Sequence, residues 1–315
     1  MNDKKPDITI VLPVHNRARI VTDTLRSISL QQERPLSLII VDNNSTDGTL
    51  DVVNRWAKSN EGNGLDITVM TETTPGAAAA RNKGLEAVTT PYVMFFDSDD
   101  YMFSGHVKAF ADAFRADPQL DIVGRDVLST GLDGKDRILT FSDSDTMFRH
   151  SFNAILSTQR YAVRTSFIRN AGGWEPSALG WNDFELGFRL LVKRPKCKKI
   201  GNDITVIVRR LEESITGTSF SATPEKWEHS LDLCDNTLTR AGYGNVAIEM
   251  RRVVLAALYS REGSPSGDRL LKEVLRRQNA VSRRIMYRFA YRYTVIGGRG
   301  IHHLLRPFLK FFKDV

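Results

Sequence analysis

The stretch from Pro91 to Asp100, PYVMFFDSDD, limits what this chain can fold into more than any other. Five apolar residues, Tyr92 to Phe96, follow the proline, and Asp97, Asp99 and Asp100 then fall within four positions. So short an apolar run reads as a strand buried on both faces rather than as a helix. Strands of that kind belong to parallel sheets covered by helices, and open sheets bind ligands beyond the carboxyl ends of their strands. The chain therefore delivers a cluster of negative charge to the place where such folds hold their ligands. Along an extended backbone Asp97 and Asp99 point the same way. Carboxylates that close repel one another unless a cation lies beside them, and ligands made only of oxygen suit Mg or Mn.

The preceding residues supply the rest of a sheet. Ile8 to Leu12 reads as a first strand, ending in Pro13-Val14-His15-Asn16-Arg17. Leu36 to Val41 reads as a second, ending in the turn-rich Asp42-Asn43-Asn44-Ser45-Thr46-Asp47-Gly48. Val21, Leu25 and Ile28, and later Leu50, Val53 and Ala57, recur at helical spacing. A short strand at Ile67 to Met70 and a helix opening at Gly76-Ala77 lead to the acidic stretch. This alternation predicts an α/β fold with a mostly parallel sheet flanked by helices and right-handed crossovers. No GxGxxG follows the first strand and no GxxxxGK[ST] occurs, which argues against a dinucleotide or P-loop site. A calcium loop starting at Asp97 would put Met102 where glycine is required and Lys108 where glutamate is required.

Five segments in order carry a family likeness: VLPVHNR (11–17), VDNNSTDGT (41–49), GAAAARNKGL (76–85), FFDSDD (95–100) and GGWEPSALGWNDFELGFRL (172–190). Over roughly residues 8–216 the chain resembles the family 2 glycosyltransferases of GT-A fold, most closely the bacterial members that build surface polysaccharides. The resemblance implies an inverting transfer of a sugar from a nucleotide-sugar, UDP-linked by that likeness, to a hydroxyl of a glycan or lipid-linked glycan. It implies that Asp42 binds the base, that Pro13, Asn16, Arg81 and Asn82 help hold the nucleoside, that Asp97 touches the ribose, and that Asp99 is the metal ligand of a DXD motif. Asp183 would be the general base. Such roles fit the chemistry: a departing nucleoside diphosphate gains charge that Mn or Mg stabilises, and an attacking hydroxyl must lose its proton to a carboxylate. Trp174 and Trp181 bracket the Asp183 segment and suggest an acceptor platform, with core packing as the alternative. Asp42 and Asp183 also have the bland reading of helix caps. The chain departs from the family pattern at Asp42-Asn43-Asn44-Ser45, where Asp-Asp-Gly-Ser is usual, at Asn182-Asp183, where Glu-Asp is usual, and at Leu211, near the place of a late histidine; Arg209 or Arg210 would then serve the diphosphate.

From about Pro224 the pattern becomes helical throughout, which predicts a GT-A-like domain over 1–220 and a helical, basic region over 221–315. Residues 251–315 hold 15 Lys/Arg against 4 Asp/Glu, so the first 250 residues carry −4 of a whole-chain +7. Ile301, Leu304, Leu305, Phe308, Leu309 and Phe312 fall on one helical face, with His303, Arg306, Lys310 and Lys313 on another and Pro307 as an interruption. That basic amphipathic pattern points either to packing on the catalytic domain or to an anionic membrane surface. No nucleic-acid-binding pattern accompanies the charge. Two separated cysteines, Cys197 and Cys234, no apolar leader and no run of 18 apolar residues predict a cytoplasmic chain, peripheral at the inner membrane face if the tail binds lipid. The rival enzyme is a haloacid-dehalogenase-like phosphatase with Asp97 as nucleophile and Asp99 as acid/base, although Tyr101 stands where that class usually has Thr or Val. The third reading is a nucleotide-sugar-binding protein of weakened activity.

Overall fold

A computed structural model describes residues 5–131, 134–210 and 219–305. Over them the chain divides into two compact units, one from Met1–Thr146, Ile155–Pro176 and Lys193–Leu211, the other from Met147–Ala154, Ser177–Val192 and Glu212–Val315. The sequence-based boundary at residue 220 is thus not a single cut, because two internal segments belong with the C-terminal helices.

In the first unit the strands are β1 (Ile8–Val14), β2 (Leu36–Asp42), β3 (Leu65–Thr71), β4 (Tyr92–Phe95), β5 (Tyr101–Met102), β6 (Ile122–Gly124), β7 (Val127–Thr130), β8 (Arg137–Leu139), β9 (Tyr161–Arg164), β10 (Cys197–Lys199) and β11 (Val206–Arg209). The main sheet runs β10-β6-β9-β4-β1-β2-β3. Only β9 runs against the others, so the sheet is mostly parallel, as the β/α alternation requires. A smaller sheet, β5-β11-β7-β8, lies beside the acidic stretch in sequence and is not foreshadowed by any long apolar run. β1 and β2 are buried along their whole lengths. The edge strand β3 exposes polar residues such as Asp66, which is how edges avoid further pairing.

The helices of this unit are α1 (Val21–Ser29), α2 (Thr49–Asn60), α3 (Ala77–Ala87), α4 (His106–Ala116) and, further on, α6 (Thr165–Asn170); α5 (Thr146–Asn153) passes into the second unit. Val21, Leu25 and Ile28 are buried as their spacing predicts. α3 lies directly on the sheet because residue 84 is glycine: a Cβ there would stand 2.4 Å from Val11 Cγ1 and 3.2 Å from Val41 Cγ2. Gly84→Ala is therefore expected to cost about 1–3 kcal/mol by overpacking, measured as a lower urea midpoint with unchanged slope. Since α3 carries Arg81 and Asn82, the same change should also disturb the site.

The second unit is helical: α7 (Asn182–Leu191), α8 (Pro224–Arg240), α9 (Val246–Arg261), α10 (Ser266–Arg276), α11 (Val281–Val295) and α12 (Ile301–Leu305). Phe184 and Phe188 of α7 share one core with Trp227, Leu231, Cys234, Leu238, Ile248 and Leu255. That apolar face explains why residues 177–192 separate from the sheet. Among the described residues no helix is long and apolar enough to cross a membrane. Arg306, Pro307, Phe308, Leu309, Lys310, Phe312 and Lys313 of the amphipathic pattern, and Leu211, lie outside the described residues.

Candidate active site

The main sheet changes direction of growth at β1. β2 and β3 extend it one way and β4 the other. A crevice at the carboxyl ends of such neighbouring strands is where open α/β sheets place ligands. β1 pairs with β4 only from Ile8 to Val11, while its pairing with β2 continues to Val14. Pro13 lies beyond the β4 ladder and opposite Val41, so its missing N–H interrupts nothing on the β4 side.

Asn16 follows in the left-handed region at φ 50°. Its Oδ1 accepts from Thr46 N at 2.9 Å and its own N–H donates to Ser45 Oγ at 3.0 Å, tying the loop after β1 to the loop after β2. His15 Nδ1 donates to the Asn43 carbonyl at 2.6 Å. Asn43 in turn donates to the Glu72 and Thr74 carbonyls and accepts from Gly76 N. Three strand ends are thereby fixed to one another through backbone and amide groups. Asp42, at the end of β2, is buried. Its Oδ2 accepts from Ser45 N at 3.1 Å, a turn-capping bond, while Oδ1 is buried with no hydrogen-bond partner among the described residues. An unsatisfied buried acceptor costs about 1–3 kcal/mol, and an N–H donor from a ligand would remove that cost.

The acidic stretch departs from the extended form expected of it. β4 ends at Phe95, and Asp97 to Asp100 form a turn in which Asp100 N donates to Asp97 O at 3.3 Å. Asp97 and Asp99 are therefore not neighbours on one face of a strand, and each has its own surroundings. Asp97 Oδ1 accepts from Arg81 Nη2 at 2.7 Å and Oδ2 from Gln159 Nε2 at 2.5 Å. Gln159 also donates to Asp100 Oδ2. Asp100 is buried and accepts from Arg209 N at 2.8 Å through Oδ1, joining the acidic turn to β11. Thr24 of α1 donates to the Ser98 and Asp100 carbonyls. Burial, then repulsion from Asp97 and Asp99, pushes the Asp100 carboxyl well above the usual range.

Asp99 is different. Arg17 Nη2 stands 3.8 Å from its Oδ2, too far for a hydrogen bond, and the Arg209 guanidinium takes the Asp99 backbone carbonyl rather than the carboxylate. Burial and the Asp97 charge push the Asp99 carboxyl up, opposed by Arg17 and Arg209. A carboxylate pushed up by burial and by Asp97, with the Arg17 guanidinium no nearer than 3.8 Å, fits a divalent cation. Among the described residues no three His, Cys, Asp or Glu side chains are grouped to hold a metal.

Two of the expected site residues have structural partners. Trp174 is 1% exposed, packs edge-on against Phe95 at 5.1 Å and lies under the Arg81 guanidinium at 4.4 Å. It is core, with no face for an acceptor, and its work is to hold Arg81 against Asp97. Asn82 spends its amide on the Trp174 backbone: Nδ2 donates to Trp174 O and Oδ1 accepts from Trp174 N, both at 2.8 Å. It braces the turn at Gly173. Gln159, unremarked in the sequence, is the residue that bridges two of the three carboxylates. Nothing in the surrounding LSTQRY signals it.

In the second unit Asp183 sits in the first turn of α7, half-buried, with Oδ1 accepting from Phe184 N at 2.8 Å. α7 is anchored by His150, whose Nε2 donates to the Phe184 carbonyl at 2.8 Å and whose ring stacks on Phe184. Gly187 leaves room for that imidazole, since a Cβ would meet its Cε1 at 2.2 Å. Trp181, at φ 49°, packs against Phe184, Phe220 and Trp227 and keeps part of its ring exposed.

A family model described as "Glycosyl transferase family 2" matches residues 9–169. Curated relatives include the "Putative teichuronic acid biosynthesis glycosyltransferase TuaG" of Bacillus subtilis, 39% identical over 100 residues, covering 32% of this chain and 38% of the relative. Another is the "Poly(ribitol-phosphate) beta-glucosyltransferase" of Bacillus spizizenii, 33% identical over 99 residues, covering 31% of this chain and 15% of the relative. The chain thus matches well under two thirds of the length of these relatives. Among solved structures, Staphylococcus aureus TarS 1–349 in complex with UDP-GlcNAc superposes with a TM-score of 0.66 at 17% identity, over 96% of this chain and 92% of that one. The mannosyltransferase PcManGT of Pyrobaculum calidifontis, in complex with GDP-Man and Mn2+, gives 0.58 at 19% identity, over 99% and 88%. At such identities the likeness is one of fold, and the fold is GT-A-like with C-terminal helices.

Proposed function

Because this chain belongs to glycosyltransferase family 2, we propose that it moves a sugar from a nucleotide-sugar, UDP-linked, to a hydroxyl of a glycan or lipid-linked glycan, with inversion. The observation that carries this reading is the pairing, at the ends of β2 and β4, of a buried acceptor without a partner among the described residues, Asp42 Oδ1, with a carboxylate, Asp99, that burial and Asp97 push up although Arg17 stands 3.8 Å away. The first suits an N–H of a nucleobase. The second suits Mn or Mg, which when bound would supply positive charge to the leaving diphosphate. TarS in its UDP-GlcNAc complex and PcManGT with Mn2+ are of the same fold and make that donor and that ion reasonable choices.

The roles of the chain's own residues follow. Pro13 and Asn16 shape the loop over the nucleoside. Asp97, held between Arg81 and Gln159, keeps lone pairs free for ribose hydroxyls. Arg81 and Asn82 act through Asp97 and Trp174 rather than by direct contact. Asp183 takes the proton of the incoming hydroxyl. The phosphatase alternative has no support from the family match. The protein works in the cytoplasm, peripheral at the inner face of the membrane, on acceptors presented there.

Nucleoside diphosphates test the donor half directly. UDP with Mn at a hundredfold excess over Kd should stabilise the fold by about 2.7 kcal/mol, seen as a rise of several degrees in Tm, with GDP and CDP weaker. A melting curve unmoved by all three, with and without Mn, would overturn the transferase reading.

A further inference from the structure

We propose that one face of α11 is a membrane-docking surface that seats the second unit on an anionic lipid bilayer. This deepens the reading of a membrane-peripheral enzyme and rests on it. It places a contact on α11, beside the basic amphipathic pattern that the sequence shows over residues 301–313.

α11 has two unlike sides. Tyr287, Ala290 and Thr294 are buried, Tyr287 and Ala290 in a core with Met250, Val253, Val274 and Leu275. The opposite side carries Val281, Ile285 and Phe289, spaced four residues apart so that they form one ridge. They are 69%, 61% and 50% exposed, and Ile296, just past the helix, is 84% exposed. Arg284, Arg288 and Arg292 are also exposed and repeat at the same spacing, forming a second ridge beside the first. Among the described residues none of these three arginines has an ion-pair partner. No Asp or Glu occurs between Glu273 and Asp314.

A surface helix in a water-soluble setting normally turns its apolar residues inward, and this one does so with one side only. The exposed apolar ridge is costly in water and gains nothing from the arginines next to it. Against anionic lipid both ridges are satisfied: the aliphatic and aromatic side chains enter the acyl boundary, and the guanidinium groups stay at the level of the phosphates. The arginine row and the absence of acid argue for this occupant over a second copy of the chain, which would set arginine against arginine.

Co-sedimentation of the full chain with vesicles tests the proposal. Vesicles with one third anionic phospholipid in phosphatidylcholine should bind the protein, and phosphatidylcholine alone should bind it at least tenfold more weakly. Ile285→Asp with Phe289→Asp should reduce binding to anionic vesicles at least tenfold, and so should Arg284→Glu with Arg288→Glu. All these side chains are exposed, so Tm should stay as in the parent. The Tm shift with UDP and Mn, measured on the same variants, reports the donor site separately: a retained shift with lost vesicle binding supports the proposal, and a missing shift in the parent too indicts the transferase reading alone. Unchanged vesicle binding in both variants overturns the docking face. So does a parent that sediments as a dimer and becomes monomeric in Ile285→Asp/Phe289→Asp without vesicle binding in either, since the ridge would then belong to a second copy.

Discussion

Asp183→Asn is expected to lower kcat by about 10²–10⁴, the usual contribution of a positioned general base, while nucleoside diphosphate affinity stays within about twofold. The substitution separates two roles that one side chain can hold together. Within the first turn of α7, Asp183 uses Oδ1 to accept from Phe184 N. Asparagine keeps a carbonyl oxygen of the same reach for the Phe184 N–H. α7 should therefore stay in place on His150 and the Phe184–Trp227 core. What asparagine loses is the ability to accept a proton from the acceptor hydroxyl. Steady-state transfer with purified acceptor gives kcat, and calorimetry with UDP and Mn gives the affinity. A variant that transfers at the parent rate would leave Asp183 with only its local bond to Phe184 N. One that loses UDP binding along with transfer would show that the carboxylate serves the donor and not the acceptor.

How far the sequence revealed the site depends on the kind of signal each part leaves. β4 and its carboxylates are legible because a short apolar run followed by three acids has few stable settings. The parallel core is legible from strand–helix alternation, and α1 from Val21, Leu25 and Ile28. The reversal at β9 is not legible: four residues, YAVR, look alike in either direction, and only pairing with β4 and β6 sets it. The small sheet escapes for a similar reason, since β5 has two residues and β8 three. Trp174 shows a different limit. Its place near the motif suggested an acceptor platform, but its exposure is decided by Arg81 and Phe95, which lie far off in sequence. Gln159 leaves no pattern at all, because a single amide gains its role only when the fold brings Asp97 and Asp100 to it. The division into units is hidden by the same cause: the apolar face of α7 is visible, but not the partner it packs on.

Asp99→Asn is expected to raise the stability of the ligand-free protein and to cut transfer by about two orders of magnitude or more, as the loss of several kcal/mol of charge stabilisation would. The two effects have opposite signs because the carboxylate is badly placed for the fold alone. Burial and the Asp97 charge both disfavour its ionised form, and Asp99 in turn helps to push Asp100 up. Asparagine removes that repulsion while keeping the shape. The backbone carbonyl that Arg209 holds is untouched, so β11 should stay joined to the turn. A side chain kept for structure would behave otherwise, since replacing a stabilising carboxylate lowers Tm. With Asp42 Oδ1 and Asp97 intact, UDP alone should still bind weakly, and the extra Tm shift that Mn gives the parent should vanish. Melting curves with and without UDP and Mn distinguish these outcomes. A lower Tm without ligand, or an undiminished response to Mn, would assign the charge of Asp99 to the fold and move the cation elsewhere.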